Sequence, residues 1–330
     1  MRLRRTGRIP DTFIIGAAKS GTTSLYGYLS EHADVFMSRE KEPHYFSPDV
    51  VHLRRGRPFI DPSDEARYLK LFARAQNEAR VGEASTSYLV SHAAPHLLRA
   101  FQPDARIIVM LRNPVDLIYS LYGHRVAHGS EWITDFATAL DADADRRQGK
   151  RLQRGQPGLG AAYRDYAMLG EQLERWFDVF DPERIYIICF DDFVRDTEGE
   201  FAKLLTFLEV DKEFRPASFA VYNQSHRRRT GPVSLIFSNP VLRWLSRSAL
   251  PAVIGEKATA KLARRFSRRR FTRRPVTVEP IPPEIRRGLE REFEGDLEKL
   301  GRLIGRDLKS EWFGSAGNGA DVVVRSRRSG

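Results

Sequence analysis

The segment FIIGAAKSGTTS, residues 13–24, decides how the rest of the chain is interpreted. It opens with three apolar residues, a run that is typical of a buried strand in a parallel sheet. Two glycines then flank Lys19, and apolar residues recur at helical spacing after Thr22. A strand, a glycine-containing turn and a helix N-terminus make an anion site, because backbone N–H groups converge there and the helix dipole favours negative charge. The segment therefore predicts a loop for a phosphate or sulfate group, with an ordinary polar turn as the alternative.

The spacing of lysine and glycine in this loop differs from the two common nucleotide fingerprints. The ATP and GTP loop places lysine directly after its second glycine, whereas Lys19 precedes Gly21. The dinucleotide fingerprint requires a glycine where this chain has Ala18. The order Lys-Ser-Gly-Thr-Thr resembles instead the 5′-phosphosulfate loop of sulfotransferases, which bind 3′-phosphoadenosine 5′-phosphosulfate (PAPS).

The composition bounds the size, the partners and the location of the protein. A chain of 330 residues, 41% hydrophobic, can hold one large α/β domain or two small ones. The net charge of +11 predicts an anionic partner, which includes a nucleotide, an acidic polysaccharide, an anionic membrane surface or a nucleic acid. The basic N-terminus lacks the apolar core of a signal peptide, and the single cysteine, Cys189, excludes an internal disulfide. These features predict a cytoplasmic protein without a membrane-spanning helix.

Five apolar runs separated by helical patterns predict the fold class. The runs lie around Phe13, Val35, Val81, Arg106 and Ile185. Strands that alternate with helices along the chain are typical of an α/β fold. We therefore predict a single α/β domain with a mostly parallel central sheet of about four or five strands, flanked by helices on both faces. The predicted helices occupy residues 22–30, 63–75, 88–101, from 114 onward, 166–180, 201–208 and 282–304.

Three segments of unusual composition predict accessory elements of this domain, which we place at residues 1–313. Residues 130–160 are polar and charged and predict a mobile insertion beside the acceptor. Residues 232–275 combine an apolar stretch with an arginine-rich run, for which a membrane-surface element and a flap over the cleft are equally open interpretations. Residues 314–330 are rich in glycine, serine and arginine and predict a disordered tail.

A second candidate segment, KEPHYF, occupies residues 41–46. Its proline excludes a helix interior. Glu42 and His44 are expected near the anion loop at the carboxyl edge of the sheet, where open α/β sheets bind ligands. Either side chain can take a proton from an attacking hydroxyl group. The alternative is a solvated loop with two buried aromatic residues.

The clearest predicted strand, RIIVML at residues 106–111, leads directly into Arg-Asn-Pro. Arg112, at the carboxyl end of that strand, can grip a phosphate with two hydrogen bonds. The hydroxyl of Ser120, about two helical turns further on, can complete the site. The alternative is an ion pair between Arg112 and a carboxylate such as Asp116.

Two patterns resemble metal ligands but favour other interpretations. His92 and His96 are four residues apart on a predicted helix, without an acidic residue between them or a third ligand nearby. Asp191 and Asp192 follow the fifth strand, where a turn and a helix cap are favoured over a magnesium site. We therefore predict no metal.

Together, the Lys-Ser-Gly-Thr-Thr loop, the Glu-Pro-His-Tyr-Phe segment and the strand that ends in Arg-Asn-Pro resemble the sulfotransferase superfamily. The resemblance is greatest to the heparan-sulfate branch and its bacterial relatives, covers roughly residues 13–125 and resumes after the fifth strand. It implies sulfuryl transfer from PAPS to a hydroxyl group, with adenosine 3′,5′-bisphosphate (PAP) as the product. It also implies a carbohydrate or glycolipid acceptor and no metal cofactor.

The resemblance further assigns roles to individual residues. It implies that the 5′-phosphosulfate is bound by Lys19, Ser20, Gly21, Thr22 and Thr23, and the 3′-phosphate by Arg112 and Ser120, with Arg227, Arg228 and Arg229 as candidates for a further contact. Glu42 is implied as the catalytic base and His44 as a residue close to the acceptor, while Lys19 stabilises the leaving phosphate. Heparan enzymes carry a lysine after the glutamate that matches Glu83, and this chain has Ala84 there, which weakens the expectation of a heparan-like acceptor.

Two other functional classes stay open at this point. A phosphotransferase with a variant phosphate loop would need ATP and Mg²⁺, and the position of Lys19 and the lack of a convincing magnesium carboxylate argue against it. A non-enzymatic binder of nucleic acid would use the arginine-rich runs, yet only Phe266 and Phe271 interleave with those arginines. We therefore expect no nucleic-acid partner, and contact with the inner membrane surface only if residues 232–275 form a membrane element.

Overall fold

The computed structural model describes residues 8–50, 60–61, 63–152, 161–219 and 281–314. All of these residues belong to one compact unit. The predictions for Arg227–Arg229, for the segment 232–275 and for the tail beyond residue 314 lie outside the described residues. No helix in the described part of the chain is long and apolar enough to cross a membrane.

A five-stranded parallel sheet forms the centre of the fold. Its strands are β1 Thr12–Gly16, β2 Val35–Met37, β3 Arg80–Ala84, β4 Arg106–Leu111 and β5 Ile185–Cys189. They lie side by side in the order β2-β3-β1-β4-β5, and each neighbouring pair is parallel. The predicted α/β class and the positions of the five predicted strands are confirmed.

Helices connect the strands and cover the sheet. They are α1 Thr22–Leu29, α2 Glu65–Leu69, α3 Ser87–Val90, α4 Ala94–Phe101, α5 Pro114–Ala127, α6 Phe136–Asp141, α7 Asp143–Arg147, α8 Tyr163–Ala167, α9 Leu169–Phe177, α10 Phe190–Arg195, α11 Thr197–Leu208, α12 Pro283–Ile304 and α13 Leu308–Phe313. The side chain of Asn113 accepts a hydrogen bond from the N–H of Val115 at 3.0 Å, and Pro114 occupies the first helical turn. This cap and this proline fix the point at which β4 turns into α5.

The sheet is buried on both faces, which explains why its strands are continuous apolar runs. Successive side chains of a strand point to opposite faces, so Phe13 and Ile15 belong to one core cluster and Ile14 to the other. The first cluster includes residues of α5, α9 and α12, and the second includes residues of α1 and α11. Burial of each large apolar side chain contributes about 1.5–3 kcal/mol, so the two layers hold the edge of the sheet in a fixed geometry.

The helix predicted over residues 88–101 is divided into α3 and α4. Ser91 adopts an extended conformation between them, with φ −68° and ψ 136°. Asp49 accepts hydrogen bonds from the hydroxyl of Ser91 at 2.5 Å and from the N–H of His92 at 2.8 Å. The prediction of one helix was wrong because this carboxylate, distant in the chain, takes over backbone and side-chain donors that a continuous helix would use.

The described part of the segment 130–160 is folded. It contains α6 and α7, and both Glu131 and Arg146 are buried. Arg146 donates to Glu131 at 2.6 Å, and the hydroxyl of Tyr163 donates to the same carboxylate at 2.8 Å. A buried ion pair requires such additional hydrogen bonds, because removing two charges from water is costly. Part of the polar composition thus forms an internal network, and the mobility of the segment stays a prediction.

The strand order brings three chain segments to one edge of the sheet. The chain places β2 and β3 on one side of β1 and then crosses to β4 and β5 on the other side. Ligands of open α/β sheets bind outside the carboxyl ends of the strands where the order reverses. Because β1 pairs with both β3 and β4, the residues that follow these three strands meet at this edge.

Candidate functional site

The anion loop, residues 17–23, follows β1 and leads into α1. The N–H of Ala17 donates to the carbonyl of Met110 in β4 at 2.7 Å, which anchors the start of the loop to the sheet. Gly21 is the N-cap residue of α1, with φ 88° and no side-chain cap. Since the first N–H groups of a helix have no acceptor within the helix, the loop contains the strand, turn and helix N-terminus that an anion site requires.

The loop residues with implied donor contacts differ in their exposure. Ser20 and Thr22 are buried, whereas Gly21 and Thr23 are partly exposed. The left-handed conformation of Gly21 is one that residues with a Cβ atom rarely adopt. The buried hydroxyl groups therefore support the shape of the loop, and its exposed side is formed by Gly21, Thr23 and the backbone.

Lys19 lies close to two other cations. Its carbonyl accepts a hydrogen bond from Nη1 of Arg112 at 2.8 Å. Burial lowers the pKa of Lys19, and the charges of Arg112 and Lys41 lower it further. No carboxylate among the described residues opposes this shift. Positive groups that gather at a helix N-terminus repel one another, so an anion bound among them is stabilised by all of them.

Arg112 connects the carboxyl end of β4 to the anion loop. Its guanidinium carbon lies 4.8 Å from the centroid of the Phe190 ring. Burial lowers the pKa of Arg112, and the charges of Asp116 and Asp191 oppose this effect. The ion pair with Asp116 that the sequence left open is not formed, because Asp116 pairs with Arg286 of α12. Arg112 instead holds the backbone of the loop and keeps its charge at the edge of the sheet.

Ser120 lies on α5, about 9 Å along the helix axis from the first helical residue. It is partly exposed, and no hydrogen bond within the described ranges joins it to Arg112 or to the anion loop. Its contact with the 3′-phosphate stays a prediction. The same is true of Arg227, Arg228 and Arg229, which lie outside the described residues.

Four consecutive residues at the end of β3, Ala84 to Ser87, hold the second candidate segment; we name them the clamp. The carbonyl of Ala84 accepts a hydrogen bond from the N–H of Glu42 at 2.8 Å. The hydroxyl of Ser85 accepts one from the N–H of His44 at 3.1 Å. Glu42 and His44 have φ values of 62° and 58°, a left-handed conformation that costs roughly 1–2 kcal/mol for an L-residue. The bonds of the clamp offset this cost.

The remaining two clamp residues bind the side chains of the same segment. The N–H of Thr86 donates to Oε2 of Glu42 at 3.0 Å, and its hydroxyl lies 3.3 Å from both carboxylate oxygens. The hydroxyl of Ser87 lies 2.6 Å from Nδ1 of His44. The clamp therefore fixes the backbone and the side chains of both predicted catalytic residues, and it brings them to the edge where the anion loop lies.

Glu42 is an ionised carboxylate at neutral pH. Burial alone would raise its pKa, but the charge of Lys41, the electrostatic effect of His44 and hydrogen bonds from Lys41 and Thr86 outweigh burial, and the pKa is lowered. Nζ of Lys41 lies 2.8 Å from Oε1, and Nε2 of His44 lies 3.6 Å from Oε2. The carboxylate is therefore in the form that can accept a proton, and its side chain is partly exposed.

A second carboxylate, Glu83, lies fully buried behind the clamp. It accepts hydrogen bonds from the hydroxyls of Tyr88 at 2.6 Å, Ser85 at 2.8 Å and Tyr68 at 3.0 Å. Burial raises the pKa of Glu83 to about 7, with a smaller contribution from the charge of Glu42, although the three hydroxyls lower it. Because Ser85 joins Glu83 to the N–H of His44, this buried group supports the candidate site from within the core.

Sequence reasoning identified Glu42 and His44 but missed the clamp and the hydrogen-bond partners of Glu83. The available signal was the run Ser-Thr-Ser directly after Ala84, at the carboxyl end of a predicted strand. Hydroxyl side chains at such a position can bind a neighbouring loop. Local spacing does not show which loop they bind.

The metal-like patterns have other roles. In the described part of the chain, no group of three or more histidine, cysteine, aspartate or glutamate residues is arranged to hold a metal ion. Asp191 and Asp192 lie in the first turn of α10, where negative charge is favoured. Asp192 also forms ion pairs with Arg195 and Arg306.

Comparison with known proteins gives a consistent picture. The family described as "Sulfotransferase family" matches residues 10–214. Human carbohydrate sulfotransferase 15 is 28% identical over 258 residues, which cover 61% of this chain and 44% of the human protein. Human heparan sulfate glucosamine 3-O-sulfotransferase 6 is 26% identical over 210 residues, which cover 62% of this chain and 54% of that protein. Bifunctional heparan sulfate N-deacetylase/N-sulfotransferase 1 of Xenopus laevis is 27% identical over 185 residues, which cover 55% of this chain and 20% of that protein. The chain thus spans about half or less of these relatives.

A solved sulfotransferase from Alicyclobacillus acidocaldarius has a similar structure. The TM-score is 0.67 at 28% identity, and the alignment covers 93% of this chain and 99% of the bacterial protein. The similarity therefore extends over nearly the full length of both chains.

Proposed function

The chain belongs to the Sulfotransferase family, and on that premise we propose that it transfers the sulfuryl group of PAPS to a hydroxyl group of an acceptor. The observation that carries this proposal is the position of Lys19 and Arg112 beside the uncapped N-terminus of α1. The mutual effect of these cations on the pKa of Lys19 supports a site built for an anion. Bound PAPS supplies the sulfuryl group and, as PAP, the leaving group.

The donor side of the site is formed by the anion loop and by β4. Lys19 and the N–H groups at the start of α1 would hold the 5′-phosphosulfate and stabilise negative charge on the leaving phosphate. Ser20, Gly21, Thr22 and Thr23 would shape that cradle. Arg112 and Ser120, with one or more of Arg227, Arg228 and Arg229, would bind the 3′-phosphate and so select PAPS over ATP.

The acceptor side is formed by the clamped segment. Glu42 would take the proton of the acceptor hydroxyl, since it is ionised, partly exposed and fixed by Thr86. His44 would lie close to the acceptor. We propose in-line transfer, with Glu42 on the side of the attacking hydroxyl and Lys19 on the side of the leaving group. Positioning and charge then provide most of the catalysis, and no metal is required.

We propose a carbohydrate or glycolipid hydroxyl as the acceptor. The names of the similar curated proteins describe carbohydrate and heparan sulfate enzymes, which supports this class. Ala84 is fully buried, so no cation extends toward the acceptor from the position at which heparan enzymes carry a lysine. A heparan-like chain is therefore a weaker expectation than a neutral glycan or glycolipid. We place the reaction in the cytoplasm, at the inner membrane surface if the acceptor is a glycolipid.

A thermal shift experiment on the full chain tests the donor. We expect PAP to raise the melting temperature, because a ligand that binds only the native state stabilises it by about 2.7 kcal/mol at 100 times its Kd. ADP, or ATP with Mg²⁺, should have a much smaller effect. A larger shift with ATP and Mg²⁺ would overturn the proposal in favour of a phosphotransferase, and no shift with any nucleotide would overturn it altogether.

Arg106, the first residue of β4, and Arg112, directly after its last residue, provide a matched pair of variants for this experiment. Arg112 stacks on Phe190 at the carboxyl end of the strand, and Arg106 stacks on Phe207 at the other end. Arg112→Ala should abolish the shift with PAP, whereas Arg106→Ala should retain it even if its melting temperature is lower. Equal loss in both variants would show that Arg112 acts through stability and not through the donor.

A further inference from the structure

Three buried side chains form a hydrogen-bonded chain behind the candidate catalytic segment. Nδ1 of His44 lies 2.6 Å from the hydroxyl of Ser87, which lies 2.6 Å from the hydroxyl of Ser47. The hydroxyl of Ser47 also lies 3.3 Å from the carbonyl of His44. All three side chains are buried, with exposures of 6%, 4% and 0% in the order His44, Ser87, Ser47. Solvent therefore has little access to the protons shared by these three side chains.

The number of hydrogens allows two arrangements when His44 is neutral. In the first, Ser47 donates to Ser87 and Ser87 donates to Nδ1, so the ring hydrogen is on Nε2. In the second, Nδ1–H donates to Ser87, Ser87 donates to Ser47, and Ser47 donates to the carbonyl of His44. The second arrangement leaves a lone pair on Nε2.

The position of Nε2 favours the first arrangement. Nε2 faces Oε2 of Glu42 at 3.6 Å, and a carboxylate attracts an N–H group but repels a lone pair. Both arrangements use the two contacts of 2.6 Å, and the second adds only the longer contact of 3.3 Å to the carbonyl of His44. Shorter O–H hydrogen bonds are the stronger ones.

We propose that Ser87 is a positioning residue: its hydroxyl donates to Nδ1 of His44 and so fixes the ring form whose Nε2–H faces Glu42. This inference deepens the proposed function and rests on it for the role of Glu42 as the base. Nε2 of His44 then already carries a hydrogen and does not accept the proton of the acceptor hydroxyl. His44 instead favours the ionised form of Glu42, and the two predicted catalytic residues have different roles.

Nitrogen NMR on the full chain measures this ring form directly. The chain has eight histidines, so the signals of His44 are identified as those that disappear in His44→Gln. In the wild-type protein we expect Nδ1 to have the shift of an unprotonated ring nitrogen and Nε2 that of a protonated one. A protonated Nδ1, whether or not Nε2 also carries a hydrogen, would overturn the proposal.

Variants separate the effect of Ser87 from that of the surrounding core. Ser87→Ala should give a mixture of the two ring forms, and Ser87→Thr should restore the single form because it restores the hydroxyl. Ser47→Ala should retain the wild-type form, since Ser87 still donates to Nδ1. Ser91, also buried but bonded to Asp49, provides the control, and Ser91→Ala should leave the signals of His44 unchanged.

Kinetics then shows whether the ring form matters for transfer. Ser87→Ala should lower kcat about 10–100-fold with little change in the KM for PAPS, and Ser87→Thr should recover most of the loss. Loss of kcat without recovery in Ser87→Thr, or an unchanged kcat in Ser87→Ala, would contradict a positioning role. The NMR result does not depend on turnover. A protein that has the expected ring form but shows no thermal shift with PAP would therefore refute only the proposed function and not the role of Ser87.

Discussion

The backbone N–H of Thr86 donates to the carboxylate of Glu42 at 3.0 Å, although the two residues are 44 positions apart in the chain. The hydroxyl of Thr86 adds a longer contact of 3.3 Å to each carboxylate oxygen. The backbone bond does not involve the side chain, so Thr86→Val removes only the hydroxyl contacts. This pairing links the strand that carries the clamp to the group proposed as the base.

Thr86→Val should destabilise the ionised form of Glu42. Loss of a hydroxyl donor to a charged group raises the pKa of that carboxylate, because its charged form loses a hydrogen bond. We expect the acidic limb of the pH–rate profile to move to higher pH, with a loss of about 1 kcal/mol or less in transition-state stabilisation, since the contact is long. Thr86→Ser keeps the hydroxyl and should behave as the wild type. A profile that does not move in Thr86→Val would show that the backbone bond alone holds Glu42.

Glu42→Gln tests the proposed base directly. Glutamine has nearly the same shape and can still accept the bond from Thr86, but it cannot take a proton. We expect kcat to fall by about 10²–10⁴-fold, the usual range for a general base, with PAP binding retained. Glu40→Gln, at an exposed position directly before the segment 41–46, should have little effect. Near-normal turnover in Glu42→Gln would exclude it as the base and leave His44 as the candidate.

Gly21→Ala should damage the anion loop through its backbone. The residue has φ 88°, and an added Cβ would lie 3.3 Å from atoms of Met110 and Phe190. We expect a loss of about 1–2 kcal/mol in the free energy of unfolding, measured with urea, together with weaker PAP binding. Gly123→Ala is the matched control, because its Cβ would meet nothing within 4 Å inside α5. It should be neutral or up to about 1 kcal/mol more stable, and equal losses in both variants would contradict the conformational argument.

The sheet and the anion loop were predictable because their signals are local. A strand buried on both faces must be apolar at each position, and the runs around Phe13 and Ile107 show this directly in the sequence. The anion loop joins its strand to its helix within a few residues, so its strand, turn and helix could be predicted from local spacing. The same local signals predicted α12, whose apolar stripe ends at Gly305 in a left-handed conformation.

The polar network behind the site was not predictable because its partners are distant in the chain. Glu83 is bound by Tyr68, and Glu42 by Thr86, through contacts that only the assembled sheet creates. Asp49 likewise divides the helix predicted over residues 88–101. Charge composition likewise did not reveal the buried ion pair between Arg146 and Glu131.

Arg146→Met tests whether α6 and α7 are part of the core. The change leaves Glu131 buried without its cation, and removal of one partner of a buried pair typically costs about 3–5 kcal/mol. The neighbouring Arg147 pairs with Asp165 from a half-exposed position, so Arg147→Met should cost about 0–1 kcal/mol. Urea unfolding of both variants measures the difference. Equal, small losses would mean that the segment contributes little to the stability of the fold.

Glu83 should make the protein less stable as pH rises from about 4.5 to about 7. Its pKa in the folded chain is about 7, against an ordinary value of 4.5, so the native state binds one more proton than the unfolded state within this window. The free energy of unfolding then falls with increasing pH, by up to about 3 kcal/mol, because one pKa unit corresponds to about 1.36 kcal/mol. This is opposite to the effect of a salt-bridged carboxylate.

Urea unfolding across this window, on the wild-type protein and on Glu83→Gln, isolates the contribution of the group. The amide does not titrate, so the stability difference between the two proteins should change steadily from pH 4.5 to 7 and stay constant above it. Glu213→Gln, in an exposed turn, removes the same charge without burial and should give a nearly parallel profile to the wild type. A parallel profile for Glu83→Gln as well would mean that Glu83 is ionised throughout, and that its three hydroxyl donors outweigh its burial.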